Sequence, residues 1–141
     1  MKSYLNKILK GKVISISISI LSLCIALFIY VFTRTTDLYI YDWLEINSLI
    51  HNIQNHFNYQ FPQYIKYNLP DALWLFSYLM LLHAIWNDSK SKIKLIFAGM
   101  FCLCAIISEI FQYYHWILGT FDPIDILSYI GVSILYFFII N

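Results

Sequence analysis

Four polar residues near the end of the third apolar segment could carry chemistry: Glu109, Gln112, Asp122 and Asp125. Glu109 lies deep inside the otherwise uncharged run Leu95–Trp116. A carboxyl group within an apolar segment of membrane length is costly, and chains that retain one usually use it. Carboxylates grouped beside an amide attract amines or metal ions, and a pair of them can act as acid and base.

Each of these acids also has a structural interpretation. Glu109 could be a protonated residue that hydrogen-bonds a neighbouring helix and stabilises the bundle by about 1 kcal/mol. The run Asp122-Pro123-Ile124-Asp125 is a good helix start, with Asp122 as the N-cap and Asp125 favoured by the helix dipole. Capping alone could therefore explain both aspartates, although the same geometry points them towards one end of the bundle.

Two more residues belong to the candidate site. Asp71 follows Pro70, and we expect Pro70 to occupy the first turn of a helix, where Asp71 could also serve as a cap. His115 is close in sequence to the acids and could pair with one of them. Together Asp71, Glu109, Asp122 and Asp125 are expected to form an acidic concavity that faces outwards. Helical phase places Cys102, Ala105, Gln112, Tyr113 and Trp116 near the face of Glu109.

The composition of the chain indicates the kind of fold that holds these residues in place. The chain has 141 residues, of which 60% are hydrophobic and only 12% charged, about half the usual charged share. Long apolar stretches exclude a membrane barrel, which needs short alternating segments. We therefore predict an all-α integral membrane protein with four transmembrane helices and a single domain, residues 1–141. The predicted spans are about 13–33, 69–87, 95–116 and 124–140, with an amphipathic outer-surface helix at about 42–58.

Basic residues indicate the orientation. Seven of the nine lie before the first span or at 90–94, within the turn predicted at 87–94. The positive-inside rule places both segments, and hence both termini, in the cytoplasm. The lysine clusters are short and flank spans, so we expect no nucleic-acid partner.

We expect His83, near the cytoplasmic end of the second span, to be a buried hydrogen-bonded residue.

No catalytic or metal-binding motif is present. The chain has no HExxH, CxxC, glycine-rich phosphate loop or nucleophile elbow. His51 and His56 are five residues apart and do not share a helix face, so a metal site there is not expected. We therefore assign no catalytic residue, no metal ligand and no cofactor.

The run Ser108-Glu109-Ile110-Phe111-Gln112, followed by Gly119-Thr120-Phe121-Asp122-Pro123-Ile124-Asp125 and Gly131, resembles the VanZ-like family of small bacterial membrane proteins. The founding member of that family is linked to resistance to the glycopeptide teicoplanin. The resemblance covers about residues 95–135 and implies a multi-pass protein of the bacterial cytoplasmic (inner) membrane. Gly119 stands where the family often has Arg, and Tyr129 near where it often has Asn.

Three functions remain open. The first is binding of a polar or cationic head group of an envelope amphiphile, lipid-linked glycan or antibiotic, which would alter its surface availability. The second is a non-catalytic subunit or assembly factor of a larger envelope complex, with a membrane protein partner. The third is an intramembrane enzyme that uses Glu109 and an aspartate, with or without a metal. Membrane lipid is an expected partner in every case.

Overall fold

A computed structural model of the protein describes residues 2–33, 43, 45–56, 61–86 and 92–140. This part of the chain contains five helices and no strand: α1 (Lys2–Thr33), α2 (Asn47–His56), α3 (Gln63–Ile85), α4 (Lys92–Tyr113) and α5 (Pro123–Ile140). The prediction of an all-helical protein is confirmed. Helix α2 falls inside the outer-surface helix predicted at 42–58, and residues 42, 44, 57 and 58 of that region lie outside the described residues.

Two of the five helices could cross a membrane. The part of α1 from Ile8 to Thr33, and α4 over its whole length, are long and apolar enough by length and composition. Helix α5 is apolar but shorter. Large apolar side chains such as Ile96 and Leu127 are exposed on the outside of the helices. That α3 and α5 also cross, to give four spans, stays a prediction.

Helix α3 is the centre of the fold, and α1, α4 and α5 all pack against it. The face that α1 turns to α3 is made largely of small residues at spacings of three and four: Ser15, Ser19, Ser22, Ala26 and Ile29 are all buried. Small side chains let helix backbones approach closely. Here Ser19 Oγ donates to the Ser77 carbonyl at 2.8 Å, and Ser77 Oγ donates to the Ser19 carbonyl at 2.9 Å. Reciprocal hydrogen bonds thus fix the register of α1 on α3.

A second contact region joins α3 to α4 and α5. Its centre is apolar and includes Leu79, Met80, Cys102 and Tyr136. Tyr136 is fully buried, and its hydroxyl has no hydrogen-bond partner within the described residues. This region packs α4 and α5, which carry candidate site residues, onto α3.

Helix α3 begins earlier than the sequence predicts. It starts at Gln63, six residues before the predicted span, and Pro70 lies inside it. The prediction that Pro70 occupies the first helical turn is therefore wrong. Proline has no N–H to donate to the carbonyl of Lys66, four residues back, yet the helix continues. Asp71 is consequently an interior helical residue and does not cap α3.

Helix α4 begins at Lys92, which corrects the prediction that 87–94 is a turn; residues 87–91 of that segment lie outside the described residues. Lys94 is therefore helical and only 8% exposed. Its Nζ atom lies 2.7 Å from His83 Nδ1 on α3. The prediction for His83 is confirmed for the hydrogen bond, whose partner is a lysine, but it is wrong for burial, because His83 is only partly buried.

Candidate functional site

A cavity of about 400 Å³ lies where the end of α4 meets the first half of α3 and the start of α5. The residues that line it are Tyr67, Asp71, Glu109, Gln112, Gly119, Thr120, Asp122 and Asp125. Five of the six predicted site residues are in this set, all except His115. The fold therefore brings together acids that lie as much as 54 positions apart in sequence.

Glu109 is the most deeply placed acid of the cavity, with 4% of its surface exposed. Its Oε2 atom accepts a hydrogen bond from the backbone N–H of Asp122 at 3.3 Å, and its Oε1 atom accepts one from Gln112 Nε2 at 3.4 Å. Both distances are long for hydrogen bonds, and both donors are neutral. Glu109 thus joins α4 to the start of α5 through weak contacts only.

Asn68 connects two of the acids and was not predicted. Its side-chain amide, on α3, donates to Asp122 Oδ2 and to Asp125 Oδ1, each at 2.8 Å. Asn68 is 4% exposed and Asp125 is 8% exposed. One NH₂ group therefore uses both of its hydrogens to hold two carboxylates beside each other.

Asp122 both caps α5 and lines the cavity. Its Oδ1 atom accepts from the backbone N–H of Ile124 at 2.9 Å, which is N-cap geometry for α5. Its Oδ2 atom accepts from Asn68 and its carboxylate also lines the cavity. Capping thus fixes the direction of the side chain without removing it from the site.

His115 does not reach the cavity, because α4 ends before it. The backbone N–H of Trp116 donates to the Phe111 carbonyl at 2.9 Å, and that of His115 donates to the Gln112 carbonyl at 3.0 Å. His115 has φ of 57°, and these features together form a Schellman motif.

The predicted stripe beside Glu109 is correct for Cys102, which is buried. It is wrong for Tyr113 and Trp116, which are 59% and 71% exposed.

Gly119 lies at the cavity with φ of 139°, in the region that favours glycine. A Cβ atom there would be 2.6 Å from the Cδ atom of Gln112. The backbone at Gly119 therefore approaches the Gln112 side-chain amide too closely for a Cβ atom to fit without a shift. An Arg at this position would have to displace that amide.

We expect Gly119→Ala to lower the free energy of unfolding by about 1–3 kcal/mol, because alanine is strained at this φ and its methyl group displaces Gln112. The measurement is unfolding by SDS titration in mixed micelles. Gly131→Ala is the matched control, since nothing lies within 4 Å of its added Cβ atom, and we expect no loss of stability there. Equal stability of the two variants would show that the Gly119 backbone is not needed.

The chemistry that this geometry favours is binding of a cation or a hydrogen-bond donor. Among the described residues, no group of three or more His, Cys, Asp or Glu side chains is arranged to hold a metal ion. Ser108, the hydroxyl nearest to Glu109 in sequence, donates to the Ala105 carbonyl of its own helix at 2.7 Å. The cavity instead offers several carboxylate oxygens and one amide to a ligand.

Comparisons of the chain with protein-family models, with curated proteins and with solved structures find no match. Membership of the VanZ-like family thus stays a prediction from the motif around Glu109 and Asp122.

Proposed function

We propose that the cavity binds the polar or cationic head group of an envelope amphiphile, lipid-linked glycan or antibiotic and alters its availability at the membrane surface. The observation that carries this proposal is a cavity lined by four acids, one of them, Glu109, almost fully buried. A buried acid inside an apolar helix is costly to retain for structure alone. The weak, neutral contacts of Glu109 leave it suited to a stronger donor from a ligand.

The size and the charge of the cavity support the same function. A volume of about 400 Å³ is within the range of small-molecule sites and suits a head group better than a whole lipid. Four carboxyl groups that line one cavity raise the local concentration of cations. An ammonium group offers N–H donors or a diffuse positive charge to these oxygens.

The proposed topology places the cavity at the outer surface of the bacterial cytoplasmic membrane. In it α1, α3, α4 and α5 each cross the membrane, and both termini are cytoplasmic. Glu109 lies 15 residues beyond Lys94 along α4, which is roughly 22 Å at 1.5 Å per residue. Lysines at the start of α4 support a cytoplasmic position for that end, so Glu109 falls in the outer half. The proposal includes membership of the VanZ-like family.

The test is binding of dodecyltrimethylammonium to the purified protein in nanodiscs of zwitterionic lipid, measured by calorimetry. We expect Glu109→Gln to weaken binding by about tenfold or more, because a close charge pair is worth at least about 1.4 kcal/mol in a desolvated site. Dodecanol, which has the same chain and no charge, should bind the wild type and the variant alike.

Glu45→Gln is the matched control, since Glu45 is exposed and outside the cavity, and it should bind like the wild type. Unchanged binding in Glu109→Gln and also in Asp122→Asn would contradict the proposal. The subunit function would be supported instead if a second membrane protein stays bound in fixed stoichiometry through purification and the cavity binds none of the probes.

A further inference from the structure

A second cavity, of about 390 Å³, runs along the outside of the bundle beside the acidic one. Its walls are mainly apolar and come from three helices: Trp74 of α3, Phe101 and Ala105 of α4, and Tyr129 of α5. Trp74 is 52% exposed and Phe101 is 37% exposed, so this groove is open towards whatever surrounds the helices. In a membrane, that surrounding is the acyl chains of lipids.

Asp71 joins the two cavities, because its side chain lines both of them. The interior position of Asp71 in α3 makes this possible: it lies between Tyr67, which lines the acidic cavity, and Trp74, which lines the groove. A polar cavity and an apolar groove therefore adjoin at one acidic residue.

We infer that the two cavities form a single site for a membrane lipid with an ammonium head group, in which the head occupies the acidic cavity and one acyl chain lies in the groove. This inference rests on the proposed function and specifies its ligand. Charge complementarity selects the ammonium head, and the apolar groove that adjoins the acidic cavity at Asp71 selects the chain. The ligand enters sideways from the outer leaflet and need not leave the bilayer.

The side-chain pattern of the groove supports a flexible chain as its occupant. Trp74, Tyr78 and Phe101 offer aromatic faces, and the rings of Tyr78 and Phe101 pack at a tilt of 32° with centroids 3.8 Å apart. Ala105 contributes only a methyl group to the groove wall. An acyl chain that moves from lipid into the groove gains nothing from the hydrophobic effect, so its stabilisation comes from dispersion contacts with these rings.

The test uses hexadecyltrimethylammonium with a brominated chain, added to the protein in nanodiscs of zwitterionic lipid. Bromine quenches tryptophan fluorescence on contact. The chain has four tryptophans, so the difference between the wild type and Trp74→Phe isolates the signal of Trp74. We expect quenching of Trp74 to saturate at probe concentrations at which random partitioning into the bilayer quenches it little.

Ala105→Phe fills the groove and should weaken binding of the long-chain probe by about tenfold, which corresponds to 1.4 kcal/mol. It should leave binding of tetramethylammonium, which has a head and no chain, within about twofold. Leu103→Phe is the matched control, because Leu103 is 59% exposed and lies outside the groove. Cys104→Phe, at an exposed position on the groove wall, is a second blocking variant in case Ala105→Phe fails to fold.

The outcomes separate this inference from the proposed function. Charge-dependent binding that neither blocking variant weakens, without saturable quenching of Trp74, would overturn the chain site while the acidic cavity stands. Absence of charge-dependent binding for every probe would overturn both. Saturable quenching that the blocking variants remove and Glu109→Gln weakens would support the single site.

Discussion

Replacement of Asn68 by leucine is expected to lower the free energy of unfolding by about 3 kcal/mol, since hydrogen bonds to charged groups contribute about 1.5–3 kcal/mol each. The Asn68 amide donates to Asp122 and Asp125 at 2.8 Å each, and it is 4% exposed. Leucine has a similar volume but no donor, so two carboxylates would face each other without the group they share. SDS titration in mixed micelles measures the loss.

Asn52→Leu is the matched control, because Asn52 is exposed on α2, and a change within about 0.5 kcal/mol is expected there. A double variant tests the cause. In the background of Asp122→Asn, which removes one of the two charges, Asn68→Leu should cost clearly less than it does alone. An equal cost in both backgrounds would show that Asn68 acts by packing and not by separating the carboxylates.

Asn68 also shows why sequence reasoning found the acids but not what holds them. Glu109 stood out because a charge in an apolar run is rare, and Asp122 because Asp-Pro is a strong helix start. Asn68 carries no such signal. Proline is favoured in the first turn of a helix, so Pro70 suggested a start at 69 and placed Asn68 outside the helix. The structure begins α3 at Gln63, and Asn68 then lies one turn before Asp71 on the same helix.

The end of α4 was mispredicted for a related reason. Schellman motifs usually carry glycine at the left-handed position, and here His115 occupies it with φ of 57°. Without glycine or proline after Tyr113, apolar periodicity continued the predicted helix to Trp116. The prediction that Glu109 and Gln112 share a helix face is correct, because both residues lie within α4, where a spacing of three puts side chains on one face. His115, two residues past the helix, was not.

A pair of helix ends, not a catalytic motif, builds this site. Asp122 is fixed as a cap of α5, and Glu109 accepts from the backbone N–H of the same residue. Capping fixes the direction of the Asp122 side chain, and Asn68 holds Asp125 beside it, so these two acids keep a fixed spacing at the cavity. The N-terminal turn of α5 also presents a positive dipole end, which offsets part of the repulsion between the carboxylates. This arrangement explains how one cavity can hold four acids and remain open to a ligand.

At the opposite end of the bundle, His83→Leu is expected to lower the free energy of unfolding by about 3 kcal/mol, the range for a buried charge that loses its partner. Lys94 is 8% exposed, and its Nζ atom lies 2.7 Å from His83 Nδ1. A lysine ammonium can only donate, so Nδ1 accepts and the ring proton is on Nε2. Leucine at 83 would leave the ammonium group buried without this acceptor.

The double variant distinguishes loss of an acceptor from loss of packing. Lys94→Met keeps an unbranched apolar stem and removes the charge, so His83→Leu with Lys94→Met should return to within about 1 kcal/mol of the wild type, as apolar replacements of buried polar pairs often do. His51→Leu is the matched control: His51 is exposed and bonds Asn55 of its own helix at 2.6 Å. If the double variant is as unstable as His83→Leu alone, packing of the imidazole ring, and not the charge of Lys94, holds α3 and α4 together at this end.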